Sequence, residues 1–344
     1  MGGFEMKRWG VVALATMAFM VTACVSEVSG VAVKPDNAGA FQSPPTYLSL
    51  LNPRDQEKVQ YKAGIRAIDP CGYVDEAALG KVGVVKTFSA SGSQQDCQAE
   101  IVVDRDAQRS LELRVAVIPF GSIYEQEART VTVGGVDILE NIDRTPGKPA
   151  DAGVNMCYHL LPFDQQSKLL IDVLRRTNEA PCAETRIITE SVVPLLKNRP
   201  QRAGSPWGAF HAVSVKDPCA GLSAIANNQK VTLSGFSRSP WRCEFVIADQ
   251  QKDDDRVIEL NAHPSASFDK PYSGSKTTVD GHAAIQSAFG SRCNIQVAVG
   301  DPADGYTYEP IGDPKLWTNA IDVTAASCET ATSTAREAAR AFLG

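Results

Sequence analysis

The sequence of 344 residues lacks the patterns that mark most enzymes and nucleic-acid binders. It has only four histidines and no HExxH, GxSxG, Walker or GxGxxG pattern. The cysteines are too far apart for a typical zinc site, and the net charge of −6 argues against binding to phosphate backbones. The apolar run near the N-terminus is shorter than the roughly 20 residues that span a bilayer. We therefore expect no catalytic residue, no metal, no cofactor and no nucleic-acid partner.

The first 23 residues are predicted to be a lipoprotein signal peptide. Lys7 and Arg8 precede the apolar run GVVALATMAFMV, which fits a secretory signal. The letters VTAC, which end at Cys24, resemble a bacterial lipobox and predict lipidation of that cysteine. The alternative is an ordinary signal peptide with an incidental cysteine. Cleavage would remove Lys7, Arg8 and Glu5 and change the net charge from −6 to −7, so membrane contact should come from acyl chains.

The other eight cysteines form two sets of four in matching surroundings. The first set is Cys71, Cys97, Cys157 and Cys182, and the second is Cys219, Cys243, Cys293 and Cys328. In each set the first cysteine follows Asp-Pro, the second opens a strand-like run and the fourth precedes a helical tail. Gly135 and Gly281 each lie 38 positions after the second cysteine, in Gly-Gly and Asp-Gly turn signals. This pattern predicts an internal duplication.

An even set of cysteines favours disulfides and an oxidising compartment. Eight cysteines allow 105 connectivities, whereas a self-contained repeat of four allows three. Sequential pairing is favoured because each bridge would then join a helix start to a neighbouring strand. The favoured bridges are Cys71–Cys97, Cys157–Cys182, Cys219–Cys243 and Cys293–Cys328. Each would stabilise its repeat by about 3–4 kcal/mol through loop closure.

Composition divides the chain into five segments. They are a signal peptide at 1–23, a flexible tether with a short helix at 24–60, a first repeat at 61–198, a linker at 199–210 and a second repeat at 211–344. Asn52 is a suitable cap, Pro53 suits a first helical position and Gly64 a helix end, so we expect a short surface helix there. The linker is rich in proline, glycine and basic residues and is expected to be exposed.

Both halves predict the same order of elements. A short helix follows the first cysteine, several strands with one buried face come next, and an amphipathic helix ends each half. In the first half Pro194 should bend or shorten that last helix. The expected fold is α+β, with two tandem repeats that each have one antiparallel sheet, helices on one face and two disulfides.

One insertion is the strongest candidate for partner binding. The third and fourth cysteines are 35 positions apart in the second set and 25 in the first. The longer segment carries Tyr306, Tyr308 and Trp317, and tyrosine and tryptophan dominate interface hot spots. The alternative, aromatic side chains that cover their own sheet, stays open. The four histidines, which are His159, His211, His263 and His282, are interpreted as structural or solvated.

A resemblance rests on these motifs. The lipobox, the Asp-Pro-Cys start and the helix-opening cysteines Cys182 and Cys328 resemble those of actinobacterial (mycobacterial or corynebacterial-type) cell-envelope lipoproteins. Each half is also similar to the extracellular sensor domain of mycobacterial serine/threonine kinases of the PknH type, although this chain has no kinase part. The tandem arrangement and the aromatic insertion depart from that pattern. The resemblance implies an extracytoplasmic, disulfide-bonded, non-catalytic α+β domain with a ligand cleft.

These observations give one leading hypothesis and two rivals. The first is a lipid-anchored, sensor-like binding module on the extracytoplasmic face of the cell membrane. Its ligand would be a small amphiphile, an envelope glycan or another protein. The alternative is an accessory or scaffold subunit of a cell-envelope membrane complex. An envelope hydrolase comes third, because the sequence has no recognisable nucleophile–base set.

Overall fold

The computed structural model describes the chain from residue 45 onward, with several gaps. The described residues are 45–90, 96–104, 109–119, 128–145, 154–176, 179–205, 212–234, 239–248, 255–300, 306–308 and 315–344. The predicted signal peptide and Cys24 lie outside them. None of the described helices is both long and apolar enough to cross a membrane.

Seven α-helices and fifteen strands make up the described part of the chain. The helices are α1 (Pro53–Arg66), α2 (Glu76–Val82), α3 (Cys182–Val192), α4 (Ala212–Val215), α5 (Leu222–Ala226), α6 (Ala266–Asp269) and α7 (Cys328–Leu343). The strands of the first half are β1 (Val84–Ala90), β2 (Asp96–Asp104), β3 (Arg109–Pro119), β4 (Arg129–Val133), β5 (Val136–Thr145), β6 (Val154–Pro162) and β7 (Ser167–Arg175). Those of the second are β8 (Val231–Leu233), β9 (Arg242–Ile247), β10 (Arg256–Pro264), β11 (Ser275–Val279), β12 (His282–Phe289), β13 (Arg292–Ala298), β14 (Tyr306–Tyr308) and β15 (Lys315–Ala325). Short 3-10 helices cover Thr46–Leu50, Pro70–Tyr73 and Val193–Leu195.

The two halves form two antiparallel sheets with the same strand path. The first sheet has the order β1-β2-β3-β7-β6-β5-β4. The second has the order β8-β9-β10-β15-β13-β12-β11, and β14 also pairs with β15. In the order of these two paths, β1, β2 and β3 correspond to β8, β9 and β10, and β7, β6, β5 and β4 correspond to β15, β13, β12 and β11. The predicted α+β duplication is therefore present in the fold.

Each repeat closes one hairpin with the predicted two-residue turn. Gly134 and Gly135 join β4 to β5 with φ angles of 58° and 81°. Asp280 and Gly281 join β11 to β12 with φ angles of 49° and 85°. A turn that needs positive φ at both central residues favours glycine, asparagine and aspartate there. The turn residues therefore follow from backbone geometry.

The eight cysteines pair in sequence order, as predicted. The bridges are Cys71–Cys97, Cys157–Cys182, Cys219–Cys243 and Cys293–Cys328, with Cα atoms 4.9 to 5.3 Å apart. The second bridge of each repeat joins a central strand, β6 or β13, to the first residue of α3 or α7. Each repeat therefore holds its C-terminal helix covalently against its sheet.

Each sheet contributes one face to a main hydrophobic core. In the first repeat the core includes Ile101, Leu113, Ile171 and Ile188. In the second it includes Phe245, Ile258, Ile321 and Ala335. Alternation along the strands places the intervening side chains on the opposite face of each sheet. In the first repeat, α3 gives way to a 3-10 turn that contains Pro194, as the missing N–H of proline predicts.

Helix α1 begins as predicted but extends past its predicted end. The Asn52 side chain accepts a hydrogen bond of 3.0 Å from the backbone N–H of Asp55, and Pro53 takes the first position. Gly64 lies inside the helix, which continues to Arg66. One side of the helix is exposed, at Glu57 and Gln60 among others, while the other side packs against both repeats.

The segment from residue 45 to α1 belongs to the core of the second repeat, although it precedes the first. Tyr47 is 1% exposed, and Leu50, Leu51 and Val59 are buried beside it in the second core. Ile65, near the end of the same helix, is buried in the first core. The expectation of a flexible tether is therefore wrong from residue 45 onward, because apolar side chains dock across the repeats. The other segment boundaries stay predictions.

The predicted linker is also packed, up to residue 205. Arg202 is buried, and its guanidinium lies 5.5 Å from the ring centre of Trp241. Its backbone N–H donates to Ala67 O at 2.8 Å, while Asp69 N–H donates to Pro200 O at 2.8 Å. Arg202 is therefore buried where an exposed linker is expected, while Ala203 and Gly204 are exposed. Residues 206–210 lie outside the described chain.

We predict that Leu51→Ala lowers the free energy of unfolding by about 2–4 kcal/mol, as removal of a buried leucine side chain usually does. Ser49 is exposed two residues earlier, so Ser49→Ala should cost less than about 0.5 kcal/mol. Guanidinium unfolding followed by tryptophan fluorescence measures the free energy of unfolding of both variants, since Trp241 lies in the same core as Leu51. An unchanged midpoint for Leu51→Ala would show that this segment does not complete the second core.

Candidate functional site

A cleft lies between α1 and the two repeats. The cavity itself has a volume of about 40 Å³, and the space reaches about 670 Å³ when its open mouth is included. Val59 and Ile65 line it from α1, Val117 and Ile118 from β3, and Leu233 from β8. These apolar side chains form most of the wall, so water in the cleft has few polar partners.

Polar contacts with the second repeat fix the position of α1. The Lys62 ammonium donates to Arg242 O at 2.9 Å, and Arg66 Nη1 donates to Pro240 O at 2.9 Å. Arg66 Nη2 also lies 3.5 Å from a carboxylate oxygen of Asp217. Because Arg66 is buried and the Asp217 side chain is only 12% exposed, their contact holds the helix more firmly than a surface ion pair would.

Two further contacts connect this region across the repeats. Tyr61 of α1 donates from its hydroxyl to Asp164 Oδ1 of the first repeat at 3.2 Å. Tyr47, before α1, donates from its hydroxyl to the carboxylate of Asp217 in the second repeat. The edge strand β8 is also engaged, because Asp55 Oδ2 accepts from Leu233 N–H at 3.1 Å. The N-terminal segment therefore builds the cleft as well as lining it.

Lys62, Arg242 and Glu244 form a charged cluster in the wall of the cleft, since the Lys62 ammonium donates to Arg242 O and Arg242 Nε lies 3.4 Å from Glu244 Oε2. Burial lowers the pKa of Lys62 to about 8, and the neighbouring Arg66 adds to this effect. Lys62 therefore remains mostly protonated at neutral pH but holds its proton less tightly than a surface lysine. The cleft thus combines apolar walls with a charged cluster.

A second depression, which we name the polar basin, lies on the face of the second sheet opposite its core. Its volume is about 210 Å³, or about 510 Å³ with its open mouth, and it is lined by Arg242, Val257, Glu259, Arg292, Asn294, Asp322 and Thr324. Arg242 Nη1 is 3.8 Å from Glu259 Oε2. Asp322 accepts from Asn261 Nδ2 at 2.7 Å and lies 3.0 Å from His263 Nε2. Donors and acceptors therefore alternate across a small area.

Two groups at the basin have shifted pKa values. Burial raises the pKa of Glu259, and the nearby Asp322 adds to that rise, while Arg242 opposes it. Burial alone would lower the pKa of His263, but its contacts with Asp322 and the field of Glu259 raise it. Crowded carboxylates in a partly desolvated place produce this pattern.

A buried polar cluster lies in the first repeat. His159 Nδ1 is 2.7 Å from Thr189 Oγ1, and its Nε2 is 3.1 Å from Glu140 Oε2. Within the described chain, Glu140, Cys157 and His159 are the one group of three side chains close enough to share a metal ion. Cys157 is in a disulfide, so it offers no thiolate ligand. The cluster joins β5, β6 and α3 by hydrogen bonds, which is a structural role.

The partners of this cluster explain its pKa shifts. Burial lowers the pKa of His159, although Glu140 opposes this, so the fold favours the neutral imidazole. Burial would raise the pKa of Glu140, but the hydrogen bonds from Arg129 and His159 lower it.

The predicted aromatic site is only partly within the described chain. β14 pairs with β15 so that Tyr306 lies opposite Trp317, and Tyr308 lies opposite Lys315. The side chains of both tyrosines lie outside the described set, and Trp317 is half-buried. The backbone thus places all three aromatics on two neighbouring strands, and their role in binding stays a prediction.

Sequence reasoning missed the cleft and the basin. Glu259, Asn261 and His263 alternate along β10, and Asp322 occupies the neighbouring strand in register. Such alternation was a usable signal for a polar sheet face. Lys62 gave no comparable signal, because its partners lie in the other repeat.

Comparisons with known proteins do not assign this chain to a family. No protein-family profile matches this chain, and no curated protein matches it either. A solved structure, the di-domain ARO/CYC BexL from the BE-7585A biosynthetic pathway, aligns with 81% of this chain and 91% of its own length. Its sequence identity is 8% and its TM-score is 0.14, so it carries no argument about fold or function.

We predict opposite pH responses from the two hydrogen-bonded histidines. The lowered pKa of His159 means that its contribution to stability is lost as pH falls below about 6.5, its unfolded value. The raised pKa of His263 means that its contribution is lost as pH rises above about 6.5. His159→Gln should therefore flatten the acid side of the stability profile, and His263→Gln the alkaline side.

Guanidinium unfolding of both variants and the wild type, from about pH 5.5 to 8, measures these slopes. One proton contributes at most about 1.4 kcal/mol per pH unit. Each variant serves as the control for the other. Flattening of the same side in both variants would contradict the assignment.

Proposed function

We propose that this protein is a non-catalytic, lipid-anchored binding module on the extracytoplasmic face of a cell membrane. Its cleft takes the apolar part of a small amphiphile. The observation that carries the proposal is a cleft with mainly apolar walls and one charged cluster, formed by Lys62, Arg242 and Glu244.

The apolar wall favours a hydrocarbon chain. Val59, Ile65, Val117 and Leu233 bring side chains from three elements to one space. Burying apolar surface stabilises by about 25 cal/mol per Å². A ligand chain that replaces water there would therefore bind without specific hydrogen bonds.

A charged cluster in the wall gives such a ligand an orientation. Lys62, Arg242 and Glu244 contact one another there, and a polar head beside them would add hydrogen bonds that a purely apolar ligand lacks. An amphiphile satisfies both parts of the site.

The anchor places this cleft near the source of amphiphiles. The chain between Cys24 and Tyr47 reaches at most about 80 Å when fully extended. A lipid on Cys24 would therefore keep Tyr47, which precedes the cleft-lining helix α1, within that distance of the bilayer. The lipobox resemblance and the four disulfides support an exported, anchored protein.

The proposal includes the finer architecture, with helices on one face of each sheet. The disulfides from β6 to α3 and from β13 to α7 support it, since they hold the C-terminal helix of each repeat on the core side. The opposite face would then remain open for binding.

We expect Cys24→Ser to abolish lipidation, because the thioether needs the thiol. Expressed in a bacterium that processes lipoproteins, the wild type should enter the detergent phase with an acylated N-terminal peptide. The variant should lack that acyl mass, which intact-protein mass spectrometry detects. Identical acylation of both proteins would exclude Cys24 as the anchor.

Filling the cleft tests the binding site. Leu233→Trp adds bulk to the wall, whereas Thr232→Trp adds the same side chain at the neighbouring exposed position. The neutral fluorescent probe N-phenyl-1-naphthylamine should bind the wild type and Thr232→Trp alike, and Leu233→Trp at least about tenfold more weakly, equivalent to 1.4 kcal/mol. Failure of the probe to bind, or equal binding to all three proteins, would contradict an apolar site in this cleft.

A further inference from the structure

Lys62 differs from the other two cationic side chains that line the cleft, because it has no carboxylate partner. Lys58 Nζ lies 2.8 Å from Asp55 Oδ1, and Arg242 Nε lies 3.4 Å from Glu244 Oε2. In the described chain Lys62 takes part in no ion pair, and its ammonium makes one hydrogen bond, to Arg242 O at 2.9 Å. An ammonium has three N–H donors, so two of them remain available to a ligand.

The carboxylates in the neighbourhood of Lys62 are engaged elsewhere. Asp217 lies 3.5 Å from Arg66 Nη2 and also accepts a hydrogen bond from the Tyr47 hydroxyl. Glu244, which also lines the cleft, faces a guanidinium group instead. Buried and half-buried charges in proteins are usually paired, so a cation without a partner in the wall of a cleft is suited to an anion from outside the chain.

The unpaired ammonium lies among apolar side chains. Val59 and Ile65 are three positions before and after Lys62 on α1, and helix residues three apart are neighbours on one face. Val117 and Ile118 line the same cleft from β3. In such surroundings opposite charges attract each other more strongly than in water. An anion beside Lys62 would therefore have apolar surface next to it for a hydrocarbon part.

Protonation of Lys62 is coupled to the charge beside it. Burial is the main cause of its lowered pKa of about 8, and the fields of Arg66 and Arg242 add to the effect. The fields of Glu244 and Asp217 raise the pKa, but not enough to restore the ordinary value of 10.5. An anion in contact with the ammonium would favour the charged form and raise the pKa.

The other charges at the cleft limit the charge of this anion. Glu244 would repel a dianionic phosphate head more strongly than a monoanionic one. Arg242, the residue type that binds phosphate with two parallel hydrogen bonds, is engaged with Glu244 and lies 3.8 Å from Glu259. The two available donors of one ammonium suit a carboxylate.

We propose that the ligand of the cleft is a monocarboxylate with a hydrocarbon chain, and that its carboxylate pairs with the Lys62 ammonium. The chain lies against Val59, Ile65 and Val117. This inference rests on the proposed function, because it names the head group of the amphiphile that the cleft takes.

Three compounds with eight carbon atoms and different head charges test the inference. At pH 7 octanoate is anionic, 1-octanol is neutral and octylamine is cationic. Each is titrated against N-phenyl-1-naphthylamine bound to the purified wild-type protein. We expect octanoate to bind at least about tenfold more tightly than octanol, and octylamine to bind more weakly than octanol.

Substitutions at Lys62 separate its charge from the apolar wall. Lys62→Met removes the charge and keeps an unbranched side chain, so it should bind octanol within about twofold of the wild type and prefer octanoate by less than about threefold. Lys62→Arg keeps the charge and should keep the preference. Lys58→Met is the matched control, because it removes a cleft-lining cation that is paired with Asp55, and it should also keep the preference.

Proton uptake tests the same contact in the wild type. Because the pKa of Lys62 is about 8, octanoate binding at pH 8 should take up as much as about half a proton per site, and octanol binding none. Isothermal titration calorimetry in two buffers with different ionisation enthalpies measures this uptake. Lys58→Met should show the uptake of the wild type. Lys62→Arg stays protonated at this pH and should show none.

The outcomes distinguish the head group from the cleft itself. Wild-type protein that binds octanol as tightly as octanoate overturns the carboxylate inference but leaves the cleft as an apolar site. A preference that survives in Lys62→Met, or that falls equally in Lys58→Met, excludes Lys62 as the partner. Equal proton uptake with octanoate and octanol excludes it too. If no octyl compound displaces the probe, the proposed function fails and the inference fails with it.

Discussion

The docking of one N-terminal helix between two repeats is the constraint on which the rest of the structure depends. Val59 of α1 enters the second core while Ile65, less than two turns later, enters the first. Arg66 and Lys62 then fix the helix by hydrogen bonds to backbone oxygens of the second repeat. Without α1, each core would lose a buried side chain, and the cleft would lose the wall that Val59 and Ile65 form. The stability of the repeats and the shape of the site therefore come from the same contacts.

The two repeats also show how one backbone supports two surfaces. Disulfides, hairpin turns and strand order are the same in both, so these features belong to the fold. The faces opposite the main cores differ, because Leu170 of the first repeat has Asp322 as its counterpart in the second. Features that change while the scaffold stays constant are the better guide to function.

Much of the fold could be predicted from local pattern, and the site could not. The cysteine pairing and the turn at Gly281 follow from spacing and backbone geometry, which neighbouring residues reveal. Tyr47 lies in a short segment that follows two prolines, so no periodicity marked it as part of a core. Its partner, Asp217, is 170 positions away, and sequence pattern holds no information about such a distance. For the basin, alternation in β10 predicts a polar face, but not that Arg242 connects it to a cleft.

The placement of Tyr47 has a consequence for the order of folding. Its contacts with the second repeat close a loop of 170 residues, which carries a large entropic cost and makes such contacts slow to form. The segment is synthesised before nearly all the residues it must meet, so it stays solvent-exposed until Asp217 and the α7 residue Phe342 are available. The part of the chain nearest the predicted anchor is therefore among the last to become ordered. A chain truncated before Asp217 would lack the second-repeat partners of this early segment and leave it open to proteolysis.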